Sequence, residues 1–161
     1  MTDHLTHPAV VRVTARLAEL GVEGRVRLLD DSARTAAAAA AQLGVEPAQI
    51  ANSLVFSADG APLLVMSSGG HRVDTAKVAV LVGAHTVDRA DPDFVRTHTG
   101  FAIGGVAPVG HPEPLRTLVD EDLARHDQVW AAGGHPHTVF PTTYDELLRI
   151  TSGTAAEVGA D

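Results

Sequence analysis

Cysteine is absent from this 161-residue chain, and its absence removes several kinds of chemistry at once. Without a thiol the protein can form no disulfide framework, no thiolate metal site and no cysteine nucleophile. The N-terminus lacks a basic region followed by an apolar one, and no apolar run approaches the roughly 20 residues of a membrane span. We therefore expect a cytoplasmic protein that is neither secreted nor inserted into a membrane.

Positive charge is also scarce. Twelve Lys and Arg residues stand against 20 Asp and Glu residues, which gives a net charge of −8. Sequence-independent coating of a nucleic-acid backbone depends on many contacts between Lys or Arg and phosphate. The composition argues against that mode of binding and leaves room for a few local contacts.

The chain is long enough for one core, with 45% hydrophobic residues and a mean hydropathy of +0.08. No repeat, long linker or shift in composition divides it. We predict a single domain over residues 1–161, with a core of about residues 32–153 and a frayed tail at 154–161.

Local patterns predict the elements of this domain. Apolar spacing predicts a helix over residues 8–20, and Ser32 is expected to cap an alanine-rich helix, Thr35–Leu43, that Gly44 ends. Further helices are expected from Asp74 to Gly83, over Asp91–Arg96 and from about Thr142. Strands are predicted at 25–30, 50–57, 62–67, 115–120, 128–132 and 137–140, of which the second and third form a hairpin. The expected fold is α+β, with a mixed, mainly antiparallel sheet and flanking helices.

The segment TGFAIGGVAPVGH, Thr99–His111, is glycine-rich and apolar but matches neither the dinucleotide fingerprint GxGxxG nor a phosphate-binding Gly-Lys-Ser/Thr loop. Glycine lets a ligand approach the main chain closely, and Pro108 fixes the backbone at one place. Such a segment can present bare N–H groups to an ester carbonyl, as an oxyanion hole does. The alternative is a crossover that packs tightly against the sheet.

Four blocks in chain order carry a resemblance to a known family. They are GVEPAQIANSLVF (44–56), GGHRVDTAKVA (69–79), GFAIGGVAPVGH (100–111) and VWAAGGHPHTVFPTTYDELLRITSG (129–153). Together they resemble the YbaK/aminoacyl-tRNA synthetase-associated domain family, the prolyl-tRNA synthetase editing-domain-like deacylases, from about Ser32 to Gly153.

This resemblance implies a free-standing editor that hydrolyses the ester of a mischarged tRNA, such as tRNA-Pro carrying a small amino acid, with the glycine segment holding the ester. The implied partners are the 3′ end of an aminoacyl-tRNA and a prolyl-tRNA synthetase or an elongation factor. No cofactor is expected.

The sequence departs from the family at one position. Where the family strand has a lysine before Thr, Asn or Ser, this chain has Asn52, followed by Ser53 and Leu54. Asparagine still donates and accepts hydrogen bonds but supplies no positive charge. The chain's single lysine, Lys77, is either a solvated helix residue or part of the site.

The nine histidines have different expected roles. His135 and His137 lack the nearby acidic or thiol ligands of a zinc site, so we expect no metal and instead expect His135 to contact the substrate amino group or relay a proton. His71 and Arg72 either meet a phosphate of the tRNA end or form a solvated turn. The other six histidines are expected at the surface, and Trp130 in the core.

The resulting candidate site has two sets of residues. The expected catalytic residues are Asn52, Ser53, Gly104, Gly105 and His135. The expected substrate-binding residues are Thr99, Gly100, Val106, Pro108, His71, Arg72 and Lys77. Two functions remain open: a deacylase, favoured by the intact glycine segment, and a binding module for an aminoacyl-tRNA, an amino acid or a synthetase, favoured by Asn52.

Overall fold

The computed structural model describes residues 4–31 and 35–160. In these ranges the α-helices are α1 (Pro8–Glu19), α2 (Ala36–Leu43), α3 (Thr75–Val82), α4 (Pro92–Thr99) and α5 (Tyr144–Thr151). The strands are β1 (Arg27–Leu28), β2 (Ile50–Ala58), β3 (Ala61–Ser68), β4 (Val87–Arg89), β5 (Arg116–Asp120), β6 (Val129–Ala132), β7 (Thr138–Thr142) and β8 (Thr154–Ala156). Single 3-10 turns lie at His4–Thr6, Pro47–Gln49 and Glu121–Arg125. No helix in the described ranges is long and apolar enough to cross a membrane.

Side-chain caps explain where most helices begin. The side chains that accept hydrogen bonds from first-turn N–H groups are Thr35, Asp74, Asp91 and Thr143. The predicted cap Ser32 lies outside the described residues, and Thr35 caps α2 by accepting from the Ala38 N–H at 3.1 Å. Gly44 ends this helix in the left-handed conformation, with φ of 70°.

The strands form one mixed sheet in the order β1-β7-β6-β2-β3-β5-β8, with β4 paired to β2. The predicted hairpin is confirmed, because β2 and β3 pair antiparallel along their length around an Asp59-Gly60 turn. Pairs β1–β7, β2–β4 and β6–β7 are also antiparallel, whereas β2–β6, β3–β5 and β5–β8 are parallel. The expected α+β fold is confirmed.

Helices cover both faces of the sheet. Helices α1, α4 and α5 pack on one face together with the glycine segment, around Met66 and Phe140. Helix α3 covers β2, β3 and β5 on the other face, and α2 lies beside it over β2, β6 and β7. Trp130 is buried under α2, as predicted.

The prediction of a frayed tail at 154–161 is wrong for the residues described. Thr154–Ala156 forms β8, which pairs parallel with β5, and Val158 is fully buried. The main chain of Asp74 donates to the Val158 carbonyl at 2.8 Å, which holds the segment against the start of α3. A three-residue edge strand is too short to produce an alternating pattern, so the sequence carried no local sign of it.

Candidate active site

A small cavity lies where β2 and β6 separate. These parallel strands pair only through Ile50 and Ala51 of β2, after which Asn52 diverges from Ala132. The space between them has a volume of about 70 Å³ and is closed by α2, by the 135–139 segment and by the glycine segment. We call it the inner cavity.

The residues that line the inner cavity are uncharged, and most of them have small side chains. Its polar members are Thr35, Asn52, Ser53 and Thr138, and the rest are glycine, alanine, proline, branched aliphatic residues and Trp130. None of these side chains carries a charge at neutral pH. The cavity can therefore enclose a small side chain and offer hydrogen bonds, but it holds no general base.

Asn52 and Ser53 of β2 both line the inner cavity, and their catalytic role stays a prediction. The Asn52 amide is partly buried and makes no hydrogen bond within residues 4–31 and 35–160, so it is available to a ligand. The Ser53 hydroxyl instead donates to the Met66 sulfur at 3.3 Å. The two neighbours thus differ in what their side chains can give a substrate.

Gly104 lies where three cavities meet. It lines the inner cavity, a cavity of about 190 Å³ beside β4, and a larger one of about 670 Å³ beside the start of α1, which we call the outer cavity. Its φ of +89° is in the left-handed region that favours glycine. Gly105 is used differently, because its N–H donates to the Ala102 carbonyl at 3.0 Å and a Cβ there would lie 2.8 Å from the His135 Cα.

Of the other predicted members of the glycine segment, only Val106 lines the inner cavity. Thr99 is fully buried, and its hydroxyl donates to the Val95 carbonyl at 2.7 Å. Gly100 ends α4 and lines the outer cavity, and Val106 lines the inner one. Pro108 is buried beside a separate surface cavity.

Two residues that sequence reasoning missed hold the segment in place. Arg12 of α1 donates from Nε to the Gly110 carbonyl at 2.8 Å and from Nη2 to the Gly100 carbonyl at 3.3 Å. His111, predicted at the surface, is partly buried and bonds through Nε2 to the Ala107 carbonyl at 2.8 Å. Burial lowers the pKa of His111 despite this hydrogen bond, and the Arg12 charge acts in the same direction as burial.

His135 borders the outer cavity within a group of histidine rings. The His4 ring stacks on His135 and on His137, with centroids 4.2 and 4.3 Å apart, and His7 lies 5.4 Å from His135. Burial lowers the pKa of His135, and the neighbouring histidines lower it further. Its Nδ1 accepts from the His137 N–H at 3.1 Å, so the neutral ring carries its proton on Nε2. In this state His135 is a hydrogen-bond donor and not a base.

The structure does not bring His71, Arg72 and Lys77 to the inner cavity. Lys77 donates from Nζ to the Gly159 carbonyl at 2.7 Å, and the Arg72 carbonyl accepts from the Ala160 N–H at 2.8 Å. These contacts hold the segment that follows β8, a structural role that the sequence did not indicate. A substrate role for these three side chains stays a prediction.

His71 also belongs to the one group in the described residues with donor atoms close enough to share a metal ion. Its Nε2 and Nδ1 lie 2.5 and 3.0 Å from carboxylate oxygens of Asp120 and Asp122. Asp120 is buried, and its carboxylate also accepts from the Ser68 N–H at 2.9 Å. Hydrogen bonds within the protein thus already occupy these ligand atoms.

Comparison with known proteins identifies the family to which the chain belongs. Residues 30–150 match the aminoacyl-tRNA editing domain. The chain is 29% identical over 154 residues to a proline–tRNA ligase of Nitratidesulfovibrio vulgaris, and this alignment covers 96% of the chain and 25% of the ligase. It is 30% identical over 130 residues to the uncharacterized protein YwhH of Bacillus subtilis, across 80% of this chain and 82% of that one. The chain thus spans about a quarter of the length of the ligases that it matches.

Solved structures agree in fold. The crystal structure of a candidate trans-editing enzyme for prolyl-tRNA synthetase has a TM-score of 0.90 and 42% identity, and it aligns over 96% of this chain and 98% of that one. The crystal structure of hypothetical protein APE2540 has a TM-score of 0.85 and 28% identity, over 92% and 99% of the two chains. Fold and matched sequence agree, and the chain belongs to the aminoacyl-tRNA editing domain family.

Proposed function

We propose that the protein is an aminoacyl-tRNA deacylase that removes a small amino acid from a mischarged tRNA, with tRNA-Pro as the first candidate. The observation that carries this proposal is the inner cavity, whose volume of about 70 Å³ and uncharged lining suit a small apolar side chain. Membership of the editing-domain family and likeness to the domain in proline–tRNA ligases support the reaction and the tRNA.

The cavities around Gly104 suggest how the substrate lies. The side chain of the amino acid occupies the inner cavity, and the ester carbonyl sits beside Gly104. The terminal nucleotide of the tRNA extends into the outer cavity, which His135 borders. The Nε2–H of neutral His135 then donates a hydrogen bond to a ribose or phosphate oxygen of that nucleotide.

Hydrolysis in this arrangement proceeds by positioning and polarisation. Backbone N–H groups of the glycine segment polarise the carbonyl, and Asn52 orients the ester or the attacking water. The water oxygen bonds to the carbonyl carbon, the bond to the ribose oxygen breaks, and a proton from the water ends on that ribose oxygen. The products are a free amino acid and a tRNA with its hydroxyl restored.

A second function, capture of an aminoacyl-tRNA, an amino acid or a synthetase without turnover, is favoured by one observation. Asn52 stands where the family resemblance implies a lysine, and no charged side chain lines the inner cavity. A neutral cavity of this kind binds an aminoacyl group but stabilises the developing oxyanion less strongly than a cation does.

The test is a panel of tRNAs charged with alanine, serine, proline, valine and leucine. We expect alanyl-tRNA and seryl-tRNA to lose their esters faster than the bulkier esters, because the small inner cavity favours small side chains. Ester loss no faster than in buffer for every member would remove the deacylase and leave the binding module. A mock preparation, purified in the same way from cells that lack the protein, controls for a contaminating esterase.

A further inference from the structure

One edge of β2 is paired at both ends and open in the middle. Ala51 pairs with Ala131 of β6 on this edge, and further along the Val55 carbonyl accepts from the Ala90 N–H at 3.4 Å. Ser57 then pairs with Asp88 of β4. Ser53 lies between these partners and has no strand beside it on this edge among the described residues.

The register of the hairpin shows where the main-chain groups of Ser53 point. The Gly69 N–H donates to the Ile50 carbonyl at 2.8 Å, so even-numbered residues of β2 direct their N–H and C=O groups toward β3. Odd-numbered residues direct theirs to the opposite edge, in agreement with the bond from Ala90 to Val55. The N–H and C=O of Ser53 therefore point to the open edge. No hydrogen bond to either group occurs within residues 4–31 and 35–160.

This open edge borders the candidate site. Ser53, Gly104 and Val106 line both the inner cavity and the cavity beside β4. A partly buried N–H and C=O without partners cost free energy unless water or a ligand satisfies them. The fold thus keeps one donor and one acceptor, both on a single residue, free at the place where a substrate would lie.

An α-aminoacyl ester carries the matching pair of groups. Its amine is a donor and its carbonyl is an acceptor, and the two are separated by one α-carbon, as in an amino-acid residue of a chain. In an antiparallel sheet two directly opposed residues exchange both of their N–H···O bonds in this way.

We propose that the aminoacyl group of the substrate binds Ser53 as a one-residue antiparallel β-bridge. The amine donates to the Ser53 carbonyl, and the ester carbonyl accepts from the Ser53 N–H. This inference rests on the proposed function and names the recognition of its substrate: an α-amino acid ester, read through main-chain atoms.

The bridge has two chemical consequences. The Ser53 N–H polarises the ester carbonyl from the strand side, while Gly104 approaches it from the glycine segment, so two main-chain elements share the developing negative charge. The carbonyl of Ser53 requires a donor on the α-carbon of the ligand. An acyl group without an amine leaves this acceptor unpaired, and such a ligand is rejected.

The first experiment follows the Ser53 amide directly by NMR in the ¹⁵N-labelled protein. The probes are two adenosine derivatives with a hydrolysis-resistant 3′-amide link, one carrying L-alanine and the other propionate, which lacks the amine. We expect the alanyl compound to shift the Ser53 amide resonance, to slow its exchange with solvent, and to bind at least about tenfold more tightly than the propionyl compound.

A shift at Gly104 with an unchanged Ser53 amide would overturn the inference, and so would equal affinity for the two probes or no binding of the alanyl probe at millimolar concentration. Hydrolysis of alanyl-tRNA by the same preparation reports separately on the proposed function. Binding through Ser53 without hydrolysis keeps the bridge and removes the deacylase, whereas hydrolysis with a silent Ser53 does the reverse.

A pair of variants adds a test by substitution. Ser53→Ala retains the N–H and serves as the reference, and Ser53→Pro removes the N–H on the edge where β3 does not need it. We expect the proline variant to bind the alanyl probe at least about tenfold more weakly than the alanine variant. Equal affinity in two folded variants would contradict the bridge.

Discussion

Asn52 gives the sharpest test of the proposed chemistry. Its amide has no partner within the described residues, so Asn52→Ala removes no internal hydrogen bond and should change the free energy of unfolding by no more than about 0.5 kcal/mol. If the amide contacts the reacting ester, its loss leaves a desolvated group of the substrate unpaired at a cost of about 1–3 kcal/mol. At 1.36 kcal/mol per factor of ten, kcat/KM for alanyl-tRNA should fall by roughly 5- to 150-fold.

Asn52→Asp separates the two roles that an amide can play. Asp keeps the acceptor oxygen, loses the NH2 donor and adds a negative charge. If Asn52 donates to the ester or its oxyanion, the Asp variant is worse than the Ala variant; if Asn52 accepts from the substrate ammonium, the Asp variant is better. Asn52→Lys decides between two effects: a higher rate would show that a cation stabilises the oxyanion, and a lower rate or stability would show the desolvation cost of an ammonium with no carboxylate beside it.

The assay is steady-state hydrolysis of alanyl-tRNA, with urea unfolding of each variant as the measure of stability. An Asn52→Ala protein with unchanged rate and affinity would refute a role for this amide. A large loss of stability would show that the side chain has a partner in the folded protein and would refute the premise.

Three further predictions concern the support of the glycine segment. Arg12→Ala should lower the free energy of unfolding by about 1–3 kcal/mol and reduce hydrolysis, because the guanidinium bonds carbonyls at both ends of the segment. The control is Arg16→Ala on the same helix, which breaks only an exposed pair with Glu19. Equal urea midpoints for the two variants would contradict this prediction. Gly104→Ala should fold with a loss of about 1 kcal/mol in the free energy of unfolding, because an alanine is strained at its positive φ. Gly105→Ala should unfold at a distinctly lower temperature, because its Cβ would lie 2.8 Å from the His135 backbone. Thermal melting curves of the two variants test this difference. Because burial lowers the pKa of His111, the folded protein holds it neutral, so its contribution is complete above a pH of about 6.5 and is lost as the pH falls through the folded pKa. His111→Gln should flatten the decline in urea stability between about pH 7.5 and 5.5, and an unchanged slope would disprove the assignment.

Local signals explain what the sequence could predict. Helix α3 lies between the cap Asp74 and Gly83, and both residues act on their immediate neighbours. The hairpin turn at Asp59-Gly60 is equally local. The family resemblance, by contrast, came from blocks that are far apart in the chain.

Contacts between segments that are distant in the chain explain what the sequence could not predict. Arg12 reaches a carbonyl 98 residues further along the chain, and nothing in the residues around it indicates that contact. Gly104 and Gly105 look alike in sequence, yet only Gly105 lies against the backbone of His135. The free edge at Ser53 depends on where two separate strands, β6 and β4, stop pairing with β2.

The N-terminal segment that includes α1 determines how much of the chain a graft into another protein would need. The match to the editing domain begins at residue 30, but Arg12 and the His4 and His7 rings stand before it and brace the glycine segment and His135. A graft of residues 30–150 into another scaffold would carry every lining residue of the inner cavity and none of these braces. The segment needed for a working graft is therefore longer than the segment that matches the family. A chimera limited to residues 30–150 would contain the cavity but lack the contacts that hold the glycine segment and His135 in place.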